Sequence, residues 1–171
     1  TFWKQCEEMF LSLEPKRIIS SAPGSRDEQR RELLEDEKVL NFFQAIDPSL
    51  SPTTLCPDPD MWGRHIQVNE GGFPAWQEAN IVILAASGPD EQEEEPERNP
   101  VQAIRKQLYC LSVPDTGLRV VDIGDLIPKD SQEAYHERLA YVLSVLLKAE
   151  KTVLILGGRQ DLVYGQFLGY E

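Results

Sequence analysis

The chain has 171 residues, of which 41% are hydrophobic and 27% charged, a composition typical of a globular protein with one sizeable core. Its 17 Lys and Arg residues against 29 Asp and Glu residues give a net charge of -12, which disfavours nucleic acids and anionic membranes as partners. The apolar runs are far shorter than the roughly 20 residues that a membrane helix needs, and no apolar signal region opens the chain. We therefore expect a cytoplasmic protein that binds neither nucleic acid nor membrane.

Residues 1–78 predict a mainly helical and irregular N-terminal extension. Apolar residues recur at helical spacing in residues 2–13 and again in residues 25–46, which predicts two amphipathic helices. Residues 47–74 are rich in Pro, Ser, Thr, Asp and Gly, and this composition predicts a long surface connection with little regular structure.

Residues 79–171 predict an α/β domain. Three short runs are rich in β-branched residues and hydrophobic on both faces, as buried parallel strands are: residues 80–86, 118–124 and 152–156. A helix with Asn99 as its N-cap and Pro100 at its first position separates the first two runs. A second helix, over residues 131–149, separates the last two. The β-α-β-α-β order predicts a doubly wound parallel sheet with right-handed crossovers and helices packed on it.

The second of these helices has its own start signal. Asp130 and Glu133 have the spacing of a capping box, in which two side chains satisfy the free amides of the first turn. His136 falls on the polar face of the same helix, beside Glu137 and Arg138, which favours a solvated surface residue over a functional one.

Loops beyond the carboxyl ends of parallel strands are where chemistry gathers in such sheets. The loop over residues 87–98 is strongly acidic, and it fits either a cation site or, as closely spaced like charges favour, a solvated loop. In the loop over residues 124–129, Asp125 could face a ligand, but an Asp at a strand end more often forms a turn or caps a backbone amide. The loop over residues 157–165 holds the remaining candidate ligand-binding residues: Gly157, Gly158, Gln160 and Asp161.

Cysteine and histidine spacing gives no metal site. Cys6, Cys56 and Cys110 are odd in number, far apart and without C-x-x-C spacing, so neither a disulfide framework nor a zinc site is predicted. His65 has no second His or Cys near it in the sequence. The sequence contains neither of the glycine-rich signatures of nucleotide binding, G-x-G-x-x-G and G-x-x-x-x-G-K-[ST].

Three segments in order carry a resemblance to a known family: NPVQAIRKQLY from Asn99, LRVVDIGDL from Leu118, and ERLAYVLSVLLKAEKTVLILGGRQDLVYGQFLGY from Glu137. Together they resemble the first half of the arginase superfamily, the ureohydrolases, and are most similar to its formimidoylglutamase-like branch. The resemblance covers residues 79–171. Its parts are the helix start N-P-V-Q-A-I-R, a strand ending in D-I-G-D-L, and a strand ending in G-G-R-Q, where the family has G-G-x-H, followed by a helix start.

The resemblance implies a three-layer arginase-like fold, of which this chain holds a part, with strand order 2-1-3. In that family two manganese ions activate a bridging hydroxide that attacks an amidine or guanidine carbon. The His of G-G-x-H is a metal ligand there, and Gln160 occupies its position here. An amide oxygen is a poorer ligand than an imidazole nitrogen, and the later D-A-H-x-D motif is absent from the sequence. We therefore predict no metal site and no cofactor for this chain, with no catalytic residue assigned.

Two hypotheses of function follow from the resemblance. One is an amino-terminal piece or degenerate homologue of a ureohydrolase-like C–N hydrolase, inactive as this chain. The alternative is a non-catalytic α/β interaction module, a pseudoenzyme. In either case strand 152–156 would have an open edge where further strands of the family lie, and an exposed apolar edge favours association. We expect the N-terminal extension, a second copy of the chain in a homodimer, or a missing C-terminal half to cover it.

Overall fold

The computed structural model describes residues 38–87, 99–112, 117–129, 131–157 and 160–170. All of them belong to one structural unit, Leu34–Glu171. Within these ranges no helix is long and apolar enough to cross a membrane. The predicted helix over residues 2–13 lies outside the described residues, as do most of the predicted helix over 25–46 and the acidic loop over 88–98.

A five-stranded mixed sheet forms the centre of this unit. Its strands are β1 (Phe43–Gln44), β2 (Ile66–Val68), β3 (Ile81–Ala85), β4 (Val120–Leu126) and β5 (Thr152–Leu156). The order across the sheet is β1-β4-β3-β5, and β2 also pairs with β4. Strands β3, β4 and β5 run parallel, with Ile81 in register with both Val120 and Thr152. The predicted parallel order, with the first strand between the second and the third, is confirmed.

Two strands lie where the sequence predicts none. β1 falls inside the predicted helix over residues 25–46, where only residues 38–40 are helical in the described part, and β2 falls inside the predicted surface connection. β1 pairs antiparallel with the carboxyl end of β4, and β2 pairs parallel with its amino end. Runs of two and three residues are too short to show a period, and the need to pair the second edge of β4 decides their conformation. The sheet therefore extends across the division that the sequence predicts near residue 78.

Within the described ranges, the α-helices of four or more residues are α1 (Pro52–Leu55), α2 (Pro100–Tyr109), α3 (Gln132–Lys148) and α4 (Leu162–Tyr170). The Asn99 side chain accepts hydrogen bonds from the amides of Val101 at 2.9 Å and Gln102 at 3.4 Å, which confirms the predicted N-cap of α2. For α3 the predicted cap is wrong by one residue. Ser131 is the N-cap, and its hydroxyl accepts from the Ala134 amide at 3.1 Å because Ser131 has the extended backbone that a cap requires.

Hydrophobic residues pack on both faces of the sheet. Val82, Leu84, Val121 and Ile123 pack with α3 and with Leu162 of α4. The alternate residues of the same strands face the other way, and Ile83, Ala85 and Val120 pack with Val101 and Tyr109 of α2. The fold is therefore α/β, with α2 on one face of the mixed sheet and α3 and α4 on the other.

Candidate functional site

A buried ion network joins α2 to the middle of β4. Arg105 Nε lies 2.9 Å from Asp122 Oδ2, and Arg105 Nη2 lies 2.9 Å from Asp122 Oδ1, so the two side chains form a bidentate pair. Both side chains are fully buried. A charge inside an apolar strand is tolerated only when it is paired and hydrogen-bonded, and this pair meets that requirement.

Asp122 has no acceptor capacity left over. Besides the two bonds from Arg105, its Oδ2 accepts from the Tyr109 hydroxyl at 2.8 Å and its Oδ1 accepts from the Gly124 amide at 2.9 Å. An ionised carboxylate has about four lone-pair sites, and four donors occupy them here. The carboxylate of Asp122 therefore serves the structure and has no site free for a ligand.

A β-bulge turns Asp125 towards the same network. One residue separates Ile83 from Ala85 in β3. Two residues separate their partners in β4, Asp122 and Asp125. The extra residue places Asp125 on the face of Asp122, although an unbroken alternation would place it on the other face. Gly124 has a φ of 98°, and a Cβ there would collide with the carbonyl oxygen of Gln44, so the bulge requires glycine.

Asp125 contacts two residues of α2. Its Oδ1 forms a close ion pair with Arg105 Nη1, and its Oδ2 accepts from Gln102 Nε2 at 3.4 Å. The predicted turn or capping role of Asp125 is therefore wrong, because the residue lies within β4 and its carboxylate is paired with a guanidinium. Sequence reasoning missed Arg105, Tyr109 and Gln102. The available signal was Asp122 itself, since an acid within an otherwise apolar strand requires a cationic partner.

Burial and pairing shift the pKa values of the network in different directions. Burial raises the pKa of Asp125, and the charge of Asp122 adds to this effect, while the charge and hydrogen bonds of Arg105 oppose it. Burial by itself lowers the pKa of Arg105, but the two aspartates outweigh it and hold the pKa above its ordinary value. Burial, followed by the charge of Asp122, raises the pKa of Tyr109. Arg105 is therefore a permanent cation, and Tyr109 is a permanent hydrogen-bond donor.

A second polar cluster lies at the carboxyl end of β5, between α3 and the start of α4. His136 Nε2 lies 3.2 Å from Asp161 Oδ2, and Gln132 Nε2 donates to the same oxygen at 2.6 Å. The ring of Tyr164 meets the His136 ring edge-on, with 5.7 Å between centroids. The prediction of a solvated His136 is wrong, because α4 packs over it and leaves it 6% exposed.

The other candidate residues of the β5–α4 loop do not converge on one centre. Gly157 lies against Ala86, the residue after β3, and a Cβ there would lie 2.5 Å from the Ala86 carbonyl oxygen. Gln160 is exposed and its carbonyl oxygen accepts from the Val163 amide at 3.2 Å. Gly158 lies outside the described residues. Asp161 is bound to α3 on one face of the sheet, whereas Asp125 is bound to α2 on the other, so the two candidate carboxylates serve separate networks.

A cavity of about 560 Å³ lies between α1 and α2. Its lining includes Leu50, Leu55, Gln102 and Lys106. Gln102 is 9% exposed, and its Oε1 is buried without a hydrogen-bond partner. The cavity is large enough to hold a small molecule, and no sequence pattern indicates it.

The described residues contain no group of three or more His, Cys, Asp or Glu side chains arranged to hold a metal ion. Comparison with protein families, with curated proteins and with solved structures finds no match to this chain. Any functional proposal therefore depends on the residues and their geometry.

Proposed function

We propose that the chain is a degenerate ureohydrolase-like α/β protein, equivalent to the amino-terminal part of a C–N hydrolase, and that it does not hydrolyse amidines or guanidines as this chain. The proposal is supported by the motifs of residues 79–171 and by the parallel order of β3, β4 and β5. The inactive assignment depends on Gln160, which stands where the family has its metal-ligand His, and on the absence of the D-A-H-x-D motif from these 171 residues. The pairing of Asp122 and Asp125 with Arg105 adds to it, because it leaves neither carboxylate available as a substitute ligand.

A two-metal hydrolytic site needs several carboxylates and imidazoles with free lone pairs directed at one centre. Asp122 has four donors on its oxygens, and Asp125 is paired with a buried guanidinium. A metal ion at Asp125 would have to displace Arg105, and that would leave a buried cation without its second partner. At the β5 end, Asp161 is engaged by Gln132 and His136, and Gln160 offers only an amide.

Manganese titration by calorimetry, with an assay of guanidine and amidine hydrolysis on the same samples, tests this proposal. We expect only weak binding of variable stoichiometry, of the kind that any acidic protein shows, and no hydrolysis. The matched variant Gln160→His restores the family's ligand at that position. We expect it to bind manganese no better than the wild type does, because one imidazole without further free ligands makes no site. A stoichiometric manganese site of micromolar affinity in the wild-type chain, or manganese-dependent hydrolysis, would refute the proposal.

The second candidate function is a non-catalytic interaction module, and the surface of α4 favours it. Val163, Tyr164, Phe167 and Tyr170 are all more than half exposed, and α4 contains no charged residue. An apolar helix face of this kind typically marks a contact surface. A chain that shows no hydrolytic activity and binds another protein molecule through α4 would be an interaction module of this kind.

A further inference from the structure

The fold brings together two cysteines that lie far apart in the sequence. Cys56 directly follows α1, Cys110 directly follows α2, and both thiols are free. Cys56 Sγ donates to the carbonyl oxygen of Tyr109 at 3.3 Å, and Cys110 Sγ lies 4.0 Å from the carbonyl oxygen of Leu55. Each sulfur therefore contacts the peptide group that leads into the other cysteine, so the two side chains lie next to each other.

The two thiols also interact with each other. Burial raises the pKa of the Cys56 thiol, and the charge of Cys110 and a hydrogen bond with its side chain add to this effect. The charge of Arg64 and a hydrogen bond from the Gly63 backbone oppose it without cancelling it. Cys56 is therefore a protonated thiol at neutral pH and a poor first nucleophile, because the thiolate is the reactive form.

A third segment packs against the thiol pair and holds both helix ends in place. It is a short 3₁₀ helix over Trp62–His65, and its first amide donates to the Leu111 carbonyl oxygen at 2.6 Å. A Cβ at Gly63 would collide with Cys56 Sγ and would lie 3.0 Å from Tyr109 Cβ, so this close approach requires glycine. The ends of α1 and α2 therefore meet in a tightly packed junction that keeps the two cysteines together.

The two cysteines differ in their access to solvent. Cys56 is fully buried, whereas Cys110 is exposed. A dissolved reagent can reach the thiol of Cys110, and only a group already attached to Cys110 comes within reach of Cys56. An accessible cysteine next to a second one that can displace its adduct is the arrangement of an attacking and a resolving thiol.

We propose that Cys56 and Cys110 form a redox-active pair that closes to a disulfide by exchange with a small-molecule disulfide. The thiolate of Cys110 attacks one sulfur of the reagent and forms a mixed disulfide, and the first half of the reagent leaves and takes up the proton that Cys110 lost. Cys56 Sγ then loses its proton and attacks Cys110 Sγ, and the second half leaves as a thiol with that proton. One reagent disulfide is reduced to two thiols while one protein disulfide forms, so atoms and electrons balance.

The disulfide joins α1 to α2 beside the cavity between these helices. Leu55, the last residue of α1, lines that cavity together with Lys106 of α2. Because α1 has only four residues, it depends on tertiary contacts for its stability. A covalent bond at its end restricts the open states of the chain and fixes this wall of the cavity. The inference is independent of the proposed function, because it uses only the contacts and exposure of the two thiols.

Exchange with glutathione disulfide tests the proposal in a chain that carries Cys6→Ser, so that two cysteines remain. Intact mass and thiol titration under native conditions identify the products. We expect most chains to lose both thiols without retaining glutathione, and dithiothreitol to restore both thiols. A stable glutathione adduct at Cys110 beside a free Cys56 thiol, a disulfide between two chains, or no reaction would overturn the proposal.

Two further variants of the same chain assign the roles of the two thiols. Cys56→Ser is expected to retain one glutathione at Cys110, because no thiol remains to displace it. Cys110→Ser is expected to gain no adduct, because Cys56 is buried. Cys56→Ala replaces Cys56→Ser if circular dichroism shows that the buried hydroxyl unfolds the chain. Equal uptake of glutathione by the two single-cysteine chains would show that Cys110 is not the attacking residue.

Hydrogen exchange measures the effect of the disulfide on α1. The amides of Thr54 and Leu55 donate to the Ser51 carbonyl oxygen, and the amide of Cys56 donates to that of Pro52. We expect these three amides to exchange at least tenfold more slowly in the oxidised chain than in the reduced chain, while the β3 amides keep their rates. Unchanged or faster exchange in α1 would overturn the inference that the disulfide fixes this helix.

Discussion

Arg105 and Asp122 hold each other through two parallel hydrogen bonds of 2.9 Å in a part of the protein that excludes water from both side chains. This pair links α2 to β4, and through the bulge at Gly124 it also brings in Asp125. Because Arg105 pairs with both aspartates, the D-x-G-D sequence of β4 stabilises the fold. The same pairing leaves neither carboxylate free to bind a metal ion.

Replacement of Arg105 by Met is expected to destabilise the chain strongly. Removing one partner of a buried ion pair leaves the other charge unpaired and costs about 3–5 kcal/mol of the free energy of unfolding. Arg105→Lys should recover little, because an ammonium cannot bond both oxygens of Asp122 in the same way. Urea unfolding measures the effect. Arg119→Met is the matched control, since its pair with Glu78 is exposed on both sides and should contribute less than about 1 kcal/mol.

Asp125 is expected to make stability depend on pH. Its folded pKa is raised above the ordinary value of 3.8, so the folded state binds this proton more tightly than the unfolded chain does. The stability from this group is fully present below the ordinary pKa and is lost as the pH rises through the raised value.

The variant Asp125→Asn cannot titrate at this position and reveals that contribution. When the pH is lowered from about 7 to about 4, the free energy of unfolding of the wild type should therefore rise relative to that of the variant. Equal pH profiles for the two proteins would show that Asp125 keeps its ordinary pKa in the fold.

Gly169→Ala is expected to disturb the packing of α4 on α3. The added Cβ would lie 2.7 Å from Leu143 Cβ and 3.0 Å from the Ala140 carbonyl oxygen. Overpacking of this kind costs about 1–3 kcal/mol, which exceeds the gain in helix propensity of about 1 kcal/mol. Thermal unfolding measures the difference. Gly72→Ala, where a Cβ meets no atom within 4 Å, should leave the melting temperature nearly unchanged, and an equal effect of both changes would contradict the packing argument.

His136→Phe is expected to loosen the start of α4. The new ring can keep the edge contact with Tyr164, but it cannot bond Asp161, and the lost hydrogen bond costs about 1 kcal/mol. Hydrogen exchange of the α4 amides should rise more than that of the β3 amides. His65→Phe serves as the control because His65 is exposed, and its replacement should leave α4 exchange unchanged.

The sequence by itself determined the three parallel strands and the cap of α2. A buried strand has apolar residues on both faces over its own length, and Asn99 caps amides two and three residues away, so both signals are local. The order of strands followed because the handedness and length of the crossovers leave few alternatives. These features depend on neighbouring residues and general rules of chain connection, which a single sequence contains.

Only the tertiary structure decided the features that depend on distant partners. β1 and β2 are strands because β4 has an edge to pair, and His136 is buried because α4 packs over the polar face of α3. Asp125 meets Arg105 because the bulge at Gly124 reverses the alternation of β4. In each case a contact formed far along the chain decides a conformation or a burial that the neighbouring residues alone do not determine.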